Sequence, residues 1–335
     1  MRKLNLGLVL VGLVICGSNA HAQTFKEGYV EWGKFGIDFA NTASTWQAGT
    51  PVNEDDNFFI SRVKPRARFE NKATQVNPAF GVGAQSKVLA WVPWNDPGVN
   101  ALPDGKFDSE VFSIWSYVDH WGNWSAPLGR VPGSLMDVAH KNGVAVSSVA
   151  GIPWGGLGSD WKQSLTNLAN VGAEKIGNLL YYYGVDGLGY NSEFSGGSSV
   201  MPKIIPFHQA LVAKMKPLNP IFENLWYDGT NDYGSITFDQ GLRSANDDVF
   251  KGASLFFNYN WYGSLLRKSA SYAEGMGKSR YYLYAGMNMQ GGQGTGWSEL
   301  QANPISIGLW GAHSKNMMWE SRGEKGSSPE TQQAT

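Results

Sequence analysis

The chain has 335 residues, with 27 Lys and Arg against 28 Asp and Glu and a formal charge of −1. That balance offers no electrostatic hold on nucleic-acid phosphates or on an anionic membrane surface, so an uncharged partner is expected. The 14 Trp, 14 Tyr and 16 Phe agree with this, because sugar rings present apolar C–H faces that stack on aromatic planes; most of these rings are still expected to fill the core, where aromatics bury large areas.

The chain opens with Arg2 and Lys3, an apolar run from Leu4 to Ile15, and Ala20-His21-Ala22 before Gln23. This is the pattern of a cleavable secretory leader over residues 1–22, which predicts an exported protein of bacterial type, periplasmic, outer-surface or extracellular. The apolar run is too short for a transmembrane helix, and no membrane span is expected. Cys16 lies inside the leader, so the mature chain has no disulfide; a lipid-anchored reading of Cys16 is the lesser alternative, because it wants a small residue where this sequence has Ile15. Residues 23–87 form a lead-in of lower regularity.

From Val88 onward, short apolar or aromatic runs alternate with helix-like segments, the signature of repeated β-α units. Eight runs are read as strands: Val88 to Trp94, Tyr117 to Trp121, Val144 to Val149, Gly187 to Glu193, Ile221 to Trp226, Leu255 to Tyr259, Tyr281 to Ala285 and Ile305 to Trp310. Pro132 to Asn142 reads as a helix with Pro near its start and Gly143 at its end. Asp160 to Tyr183 reads as a longer helix, with Leu165, Leu168, Ala169, Ala173, Ile176, Leu179 and Leu180 at helical spacing. The expectation is an α/β fold, a (β/α)8 TIM barrel over residues 88–322, with a polar tail over 323–335. Catalytic groups of such barrels stand at the C-terminal strand ends and in the loops that follow.

The run Asp186-Gly187-Leu188-Gly189-Tyr190-Asn191-Ser192-Glu193 closes a strand with polar residues. Period-two alternation puts Gly189, Asn191 and Glu193 on one face, so a carboxamide and a carboxyl point together into the barrel mouth, with Gly189 leaving room for a substrate ring. Glycosidic cleavage needs an acid at the leaving oxygen and a second group that handles the positive charge at the anomeric carbon. An amide is a poor nucleophile, but it can orient a 2-acetamido group so that the acetamide oxygen attacks its own ring carbon, which points to N-acetylglucosamine at the bond cut. Spacing alone equally allows Asn191 and Glu193 to bridge strands or cap a turn.

The segment DGLGYNSE resembles the strand motif of family 85 endo-β-N-acetylglucosaminidases, in which an Asn and a Glu two residues apart carry the reaction. Five other segments follow in the family's order: IWSYVDHW, AHKNGVAVSSV, WYDG, FFNYNW and YLYAGMNMQGGQG, so the resemblance covers about Trp91 to Trp319. It implies Glu193 as general acid/base, Asn191 as the residue orienting the acetamide and Tyr227 as the tyrosine assisting there, with Trp261 of NYNW, beside Asn260, lining the cleft. The implied activity is hydrolysis of the GlcNAc-β-1,4-GlcNAc bond in the chitobiose core of N-linked glycans and glycoproteins, retaining and substrate-assisted through an oxazolinium-type intermediate, with transglycosylation open. Two positions depart from the family: Phe238-Asp239 stands where a Trp-Gln pair is common, and Asn288 where an Asp is common in the seventh strand. The first puts acceptor-side affinity in question and the second leaves glycan preference open, since Asn288 hydrogen-bonds without charge. Members of the family commonly continue into β-sandwich modules, and this chain is read as stopping short of them.

His120, after Asp119, is read as a substrate contact at the end of the second strand or as a structural His–Asp pair. Five histidines without paired spacing predict no metal, and no cofactor is expected. Gly291-Gly292-Gln293-Gly294 lacks the context of a phosphate loop and reads as a substrate loop or a turn. Among Trp91, Trp94, Trp226 and Trp297, those near strand ends, Trp94 foremost, are cleft candidates. Two other readings compete. A chitinase-like barrel, with its DGxDxDxE strand, fits poorly because Gly189 and Asn191 replace two of its aspartates. A non-catalytic glycan-binding barrel of a surface uptake system would have no use for an acid at Glu193.

Overall fold

The computed structural model describes residues 32–52, 56–65, 86–92, 112, 114–127, 131–151, 160–289 and 296–312. Eight parallel strands close into one barrel in sequence order: β1 (Val88–Val92), β2 (His120–Pro127), β3 (Ala145–Gly151), β4 (Gly187–Tyr190), β5 (Leu225–Tyr227), β6 (Ser254–Phe256), β7 (Leu283–Asn288) and β8 (Ser306–Trp310). The ring closes where β1 pairs with β8, Leu89 opposite Gly308 and Trp91 opposite Trp310. The fold is the expected (β/α)8 barrel.

The helices are α1 (Trp32–Thr45), α2 (Asp56–Phe59), α3 (Gly133–Lys141), α4 (Asp160–Val171), α5 (Ala173–Tyr183), α6 (Met201–Met215), α7 (Asp247–Gly252), α8 (Gly263–Gly275) and α9 (Trp297–Ala302). The expected single helix from Asp160 to Tyr183 is two, because Gly172 stands between them at φ 87, ψ 158, a conformation essentially confined to glycine. Helical periodicity runs through the break, so the pattern alone does not reveal it. In the stretch read as irregular, α1 buries Phe39, Ala40 and Ala43 and packs on α4 and α5. Among the described residues no helix is long and apolar enough to cross a membrane.

Strand side chains alternate between two cores. Ala90, Val92, Leu188, Tyr190, Trp226, Leu255, Phe257, Leu283 and Ala285 face outward and join the helices in the larger core. Inside the barrel, Leu89, Trp91, Val149, Leu225, Phe256 and Tyr284 form a second, thinner layer, with Tyr227, Tyr259 and Trp310 packed on it. Below that layer, at the N-terminal strand ends, lies an ionic plug. Buried Glu223 pairs with Lys87 at 2.6 Å, accepts the Tyr284 hydroxyl at 2.8 Å and is bonded by Ser254 Oγ. Burial alone would push the Glu223 carboxyl up, but Lys87 and then His120 outweigh it and hold it at about 2. On the same side, His140 Nε2 meets Asp186 Oδ2 at 2.8 Å, tying α3 to the start of β4.

Candidate active site

At the C-terminal face a cleft of about 230 Å³ opens over the inner layer, lined by Trp91, Tyr190, Asn191, Glu193, Leu225, Trp226, Tyr227, Phe256, Tyr259 and Trp310. Its floor is the Trp91 indole. A Cβ added at Gly189 would stand 2.0 Å from Trp91 Cη2, and one at Gly122 would stand 2.1 Å from Trp91 Cε3, so these glycines admit the tryptophan. The room expected at Gly189 for a sugar ring is therefore taken up by Trp91, and the open space lies above it.

Asn191 and Glu193 meet as expected, by a different route. The regular strand ends at Tyr190, and the Glu193 N–H donates to the Asn191 carbonyl at 2.8 Å, a tight turn that swings the carboxyl back until Asn191 Nδ2 donates to Glu193 Oε2 at 3.0 Å. The turn is pinned to the loop after β5. Ser192 Oγ donates to the Tyr227 carbonyl at 2.5 Å, and Thr230 Oγ1 accepts the Phe194 N–H at 3.0 Å. Burial pushes the Glu193 carboxyl up, with the Asn191 hydrogen bond opposing the shift. Asn191 itself is 6% exposed.

Tyr227 ends β5 in the same cleft, its hydroxyl donating to Asn258 Oδ1 at 2.5 Å. Burial, then the Tyr259 phenol and Glu193, push its ionisation upward; Tyr259 is shifted the same way by burial and Glu193. Phe238 packs beside Tyr227 with ring centroids 6.0 Å apart. Asn288 closes β7 opposite Trp310, at the rim. Asn260 is exposed and donates to Asp239 Oδ2 at 3.1 Å.

Two expected residues, His120 and Trp261, are not brought to the cleft. His120 lies at the beginning of β2, because the run read as strand from Tyr117 starts as a 3-10 turn, Trp115–Tyr117; the strand is displaced downstream and the histidine falls at the opposite end of the barrel. There it is buried, bonds Ser147 Oγ, and is held at about 4 by loss of hydration, partly offset by Glu223. Trp261 belongs to the outer core, its Nε1 donating to the Gly286 carbonyl at 2.7 Å. Trp94 lies outside the described residues, as do Gly291–Gly294. Trp226 borders the cleft, yet its indole turns outward and donates to the Thr230 carbonyl at 2.9 Å; Trp297 is 52% exposed on α9. Sequence reasoning missed Tyr259, Phe256 and Trp310, inward-facing aromatics at strand ends that period-two alternation could have flagged, and met Asp239 only as a departure from the family's pair.

Among the described residues, the carboxylates of Asp232, Asp247 and Asp248 lie within 4.8 Å of one another. Asp232 there accepts the Asp248 and Val249 N–H groups at 3.0 and 2.9 Å, which anchors the start of α7.

A parallel eightfold barrel whose mouth holds one carboxyl against a carboxamide, walled by aromatic rings, defines a sugar-cleaving class of enzyme, the glycoside hydrolases. The chain belongs to glycosyl hydrolase family 85, whose family model matches residues 96–329. Two curated relatives are each described as a cytosolic endo-beta-N-acetylglucosaminidase. The one from Danio rerio is 25% identical over 172 residues, half of this chain and 24% of the relative. The one from Gallus gallus is 24% identical over 184 residues, 53% of this chain and 25% of the relative. The chain thus spans about a quarter of their length. The glycoside hydrolase domain of Endo-D from Streptococcus pneumoniae R6 superposes over 80% of this chain and 45% of its own, with TM-score 0.65 at 20% identity, a likeness of fold. The expectation of an exported protein is corrected by these relatives, both described as cytosolic. The pattern behind it, a short apolar run after two basic residues, is compositional only and lies outside the described residues.

Proposed function

We propose that the chain is an endo-β-N-acetylglucosaminidase that cleaves the GlcNAc-β-1,4-GlcNAc bond in the core of N-linked glycans by a retaining, substrate-assisted route. The observation that carries this is the Asn191–Glu193 pair at 3.0 Å in a cleft whose described lining holds no second carboxylate. A two-carboxylate mechanism needs a partner acid across the bond, whereas a sugar with its own acetamide needs only a proton donor and an orienting group.

Glu193, protonated, gives its proton to the leaving oxygen as the acetamide oxygen bonds to the anomeric carbon and the C–O bond breaks. Asn191 holds the acetamide in line for that attack. The Glu193 carboxylate then takes a proton from water, whose oxygen opens the cyclic intermediate with net retention. A sugar hydroxyl entering in place of water gives transglycosylation, and Phe238 beside Tyr227 would form part of the surface it meets. N-glycoproteins with a 2-acetamido sugar at the cut are the substrate class in this reading. Incubating the protein with a high-mannose glycoprotein and weighing the product by mass spectrometry tests it: a single GlcNAc should stay on the asparagine, and an intact glycan or release of the whole chain would overturn the proposal.

A further inference from the structure

Asp239, in the loop between β5 and α7, has φ 60, the single positive φ outside glycine among the described residues. Such a backbone costs an L-residue about 1–2 kcal/mol, and Asp and Asn tolerate it better than most. The carboxylate is held there by two amides: Asn258 Nδ2 donates to Oδ1 at 2.7 Å and Asn260 Nδ2 to Oδ2 at 3.1 Å. Asn258 and Asn260 are two residues apart and reach the same acceptor, while Tyr259 between them lines the cleft.

A carboxylate can only accept hydrogen bonds. Asn258 must therefore turn its NH2 toward Asp239 and its carbonyl away, where the Tyr227 hydroxyl donates to it at 2.5 Å. Tyr227 has one proton, and Asn258 has taken it. The phenol oxygen is left to accept, both from the neighbouring Tyr259 hydroxyl, with which it shares a hydrogen bond, and from a donor in the cleft.

We infer that Asp239 is a positioning residue that fixes the direction of hydrogen bonding through Asn258 to Tyr227, so that Tyr227 meets the substrate as an acceptor only. This rests on the substrate-assisted reading above. The group offered to Tyr227 must then be a donor, the acetamide N–H or a hydroxyl of the 2-acetamido sugar. The acetamide oxygen, which has to attack, finds no proton on Tyr227 that would bind it and blunt its nucleophilicity. Chained hydrogen bonds of one direction also polarise each other, so the charge on Asp239 strengthens the Tyr227 acceptor two hydrogen bonds away.

The test is Asp239→Asn, which keeps the size and the tolerance of a left-handed backbone but lets both amides flip. With an unchanged melting temperature, kcat on an N-glycoprotein should fall about tenfold or more while KM moves little, the scale of one misdirected hydrogen bond in the reacting state. The exchanged pair Asp239→Asn with Asn258→Asp restores an obligate acceptor beside Tyr227 and should recover most of that loss. Wild-type kcat in the single variant overturns the inference, as does a loss that tracks unfolding and is not recovered by the exchange. A second arm needs no turnover. The Asn258 side-chain amide protons, assigned in NMR spectra by their loss in Asn258→Asp, should be shifted downfield in the wild type and move back in Asp239→Asn; if they do not move, the relay is wrong. A wild type inert on glycoproteins whose amide protons nonetheless respond would overturn the proposed function and leave the relay standing.

Discussion

Burial raises the affinity of Glu193 for its proton, and Asn191 opposes it by donating a hydrogen bond to the charged form. A general acid must arrive protonated, so kcat/KM should decline as pH rises through the shifted value, above the ordinary glutamate range near 4.3. Glu193→Gln keeps the shape and removes the transferable proton, and hydrolysis of unactivated glycans should then drop by on the order of 10²-fold or more, read from initial rates; near-normal turnover would remove Glu193 from the mechanism. Asn191 admits a finer test, since forming the oxazolinium species and consuming it are separable steps. Asn191→Ala should cripple hydrolysis of intact glycans yet still transfer a pre-formed sugar oxazoline to a GlcNAc acceptor, because Glu193 remains as base. If Asn191 merely braces the barrel, both rates and the thermal midpoint will decline together.

At the scale of elements, the alternation of strands and helices was legible because period-two and period-3.6 apolar spacing survive in the residues that face the two cores. Element ends were less so. Tyr117 reads as strand by composition but ends a 3-10 turn, and that slip alone placed His120 at the wrong end of β2. The pairing of Asn191 with Glu193 was legible, although a turn and not strand alternation creates it. Asp239 was not legible as part of the site, because its partners Asn258 and Asn260 lie 19 and 21 residues further along and only the closed barrel brings them together. The break between α4 and α5 gives an element-level prediction. Gly172→Ala places a side chain in a glycine-only conformation with nothing within 4 Å to obstruct it, so the cost is backbone strain of about 1–3 kcal/mol. It should appear as a lower denaturant midpoint, with kcat of the folded protein unchanged.

Across the whole molecule, three buried groups favour the unfolded chain in acid, against His140, Glu193, Asp228 and Asp232, whose hold on a proton folding strengthens. Folding lowers His120 to about 4 and His208 to about 3, both by burial, and lowers Glu223 to about 2. Each group binds its proton more weakly folded than unfolded, so the two histidines withdraw stability as pH falls below about 6.5, and Glu223 withdraws on the order of 3 kcal/mol more between about 4.5 and about 2. Thermal midpoints should fall less steeply between about pH 4.5 and about pH 3 in Glu223→Gln than in the wild type; parallel profiles would contradict the buried plug. Between that plug and Glu193 stands the inner layer of Leu89, Trp91, Leu225 and Phe256, and Glu223 is absent from the groups that shift Glu193. The layer holds the two ionic groups apart, and their separation keeps one from shifting the other. A chain built this way can have its base re-engineered for tolerance to heat or acid while the pH at which it works stays where the mouth alone sets it, so foundation and chemistry are free to evolve on separate schedules.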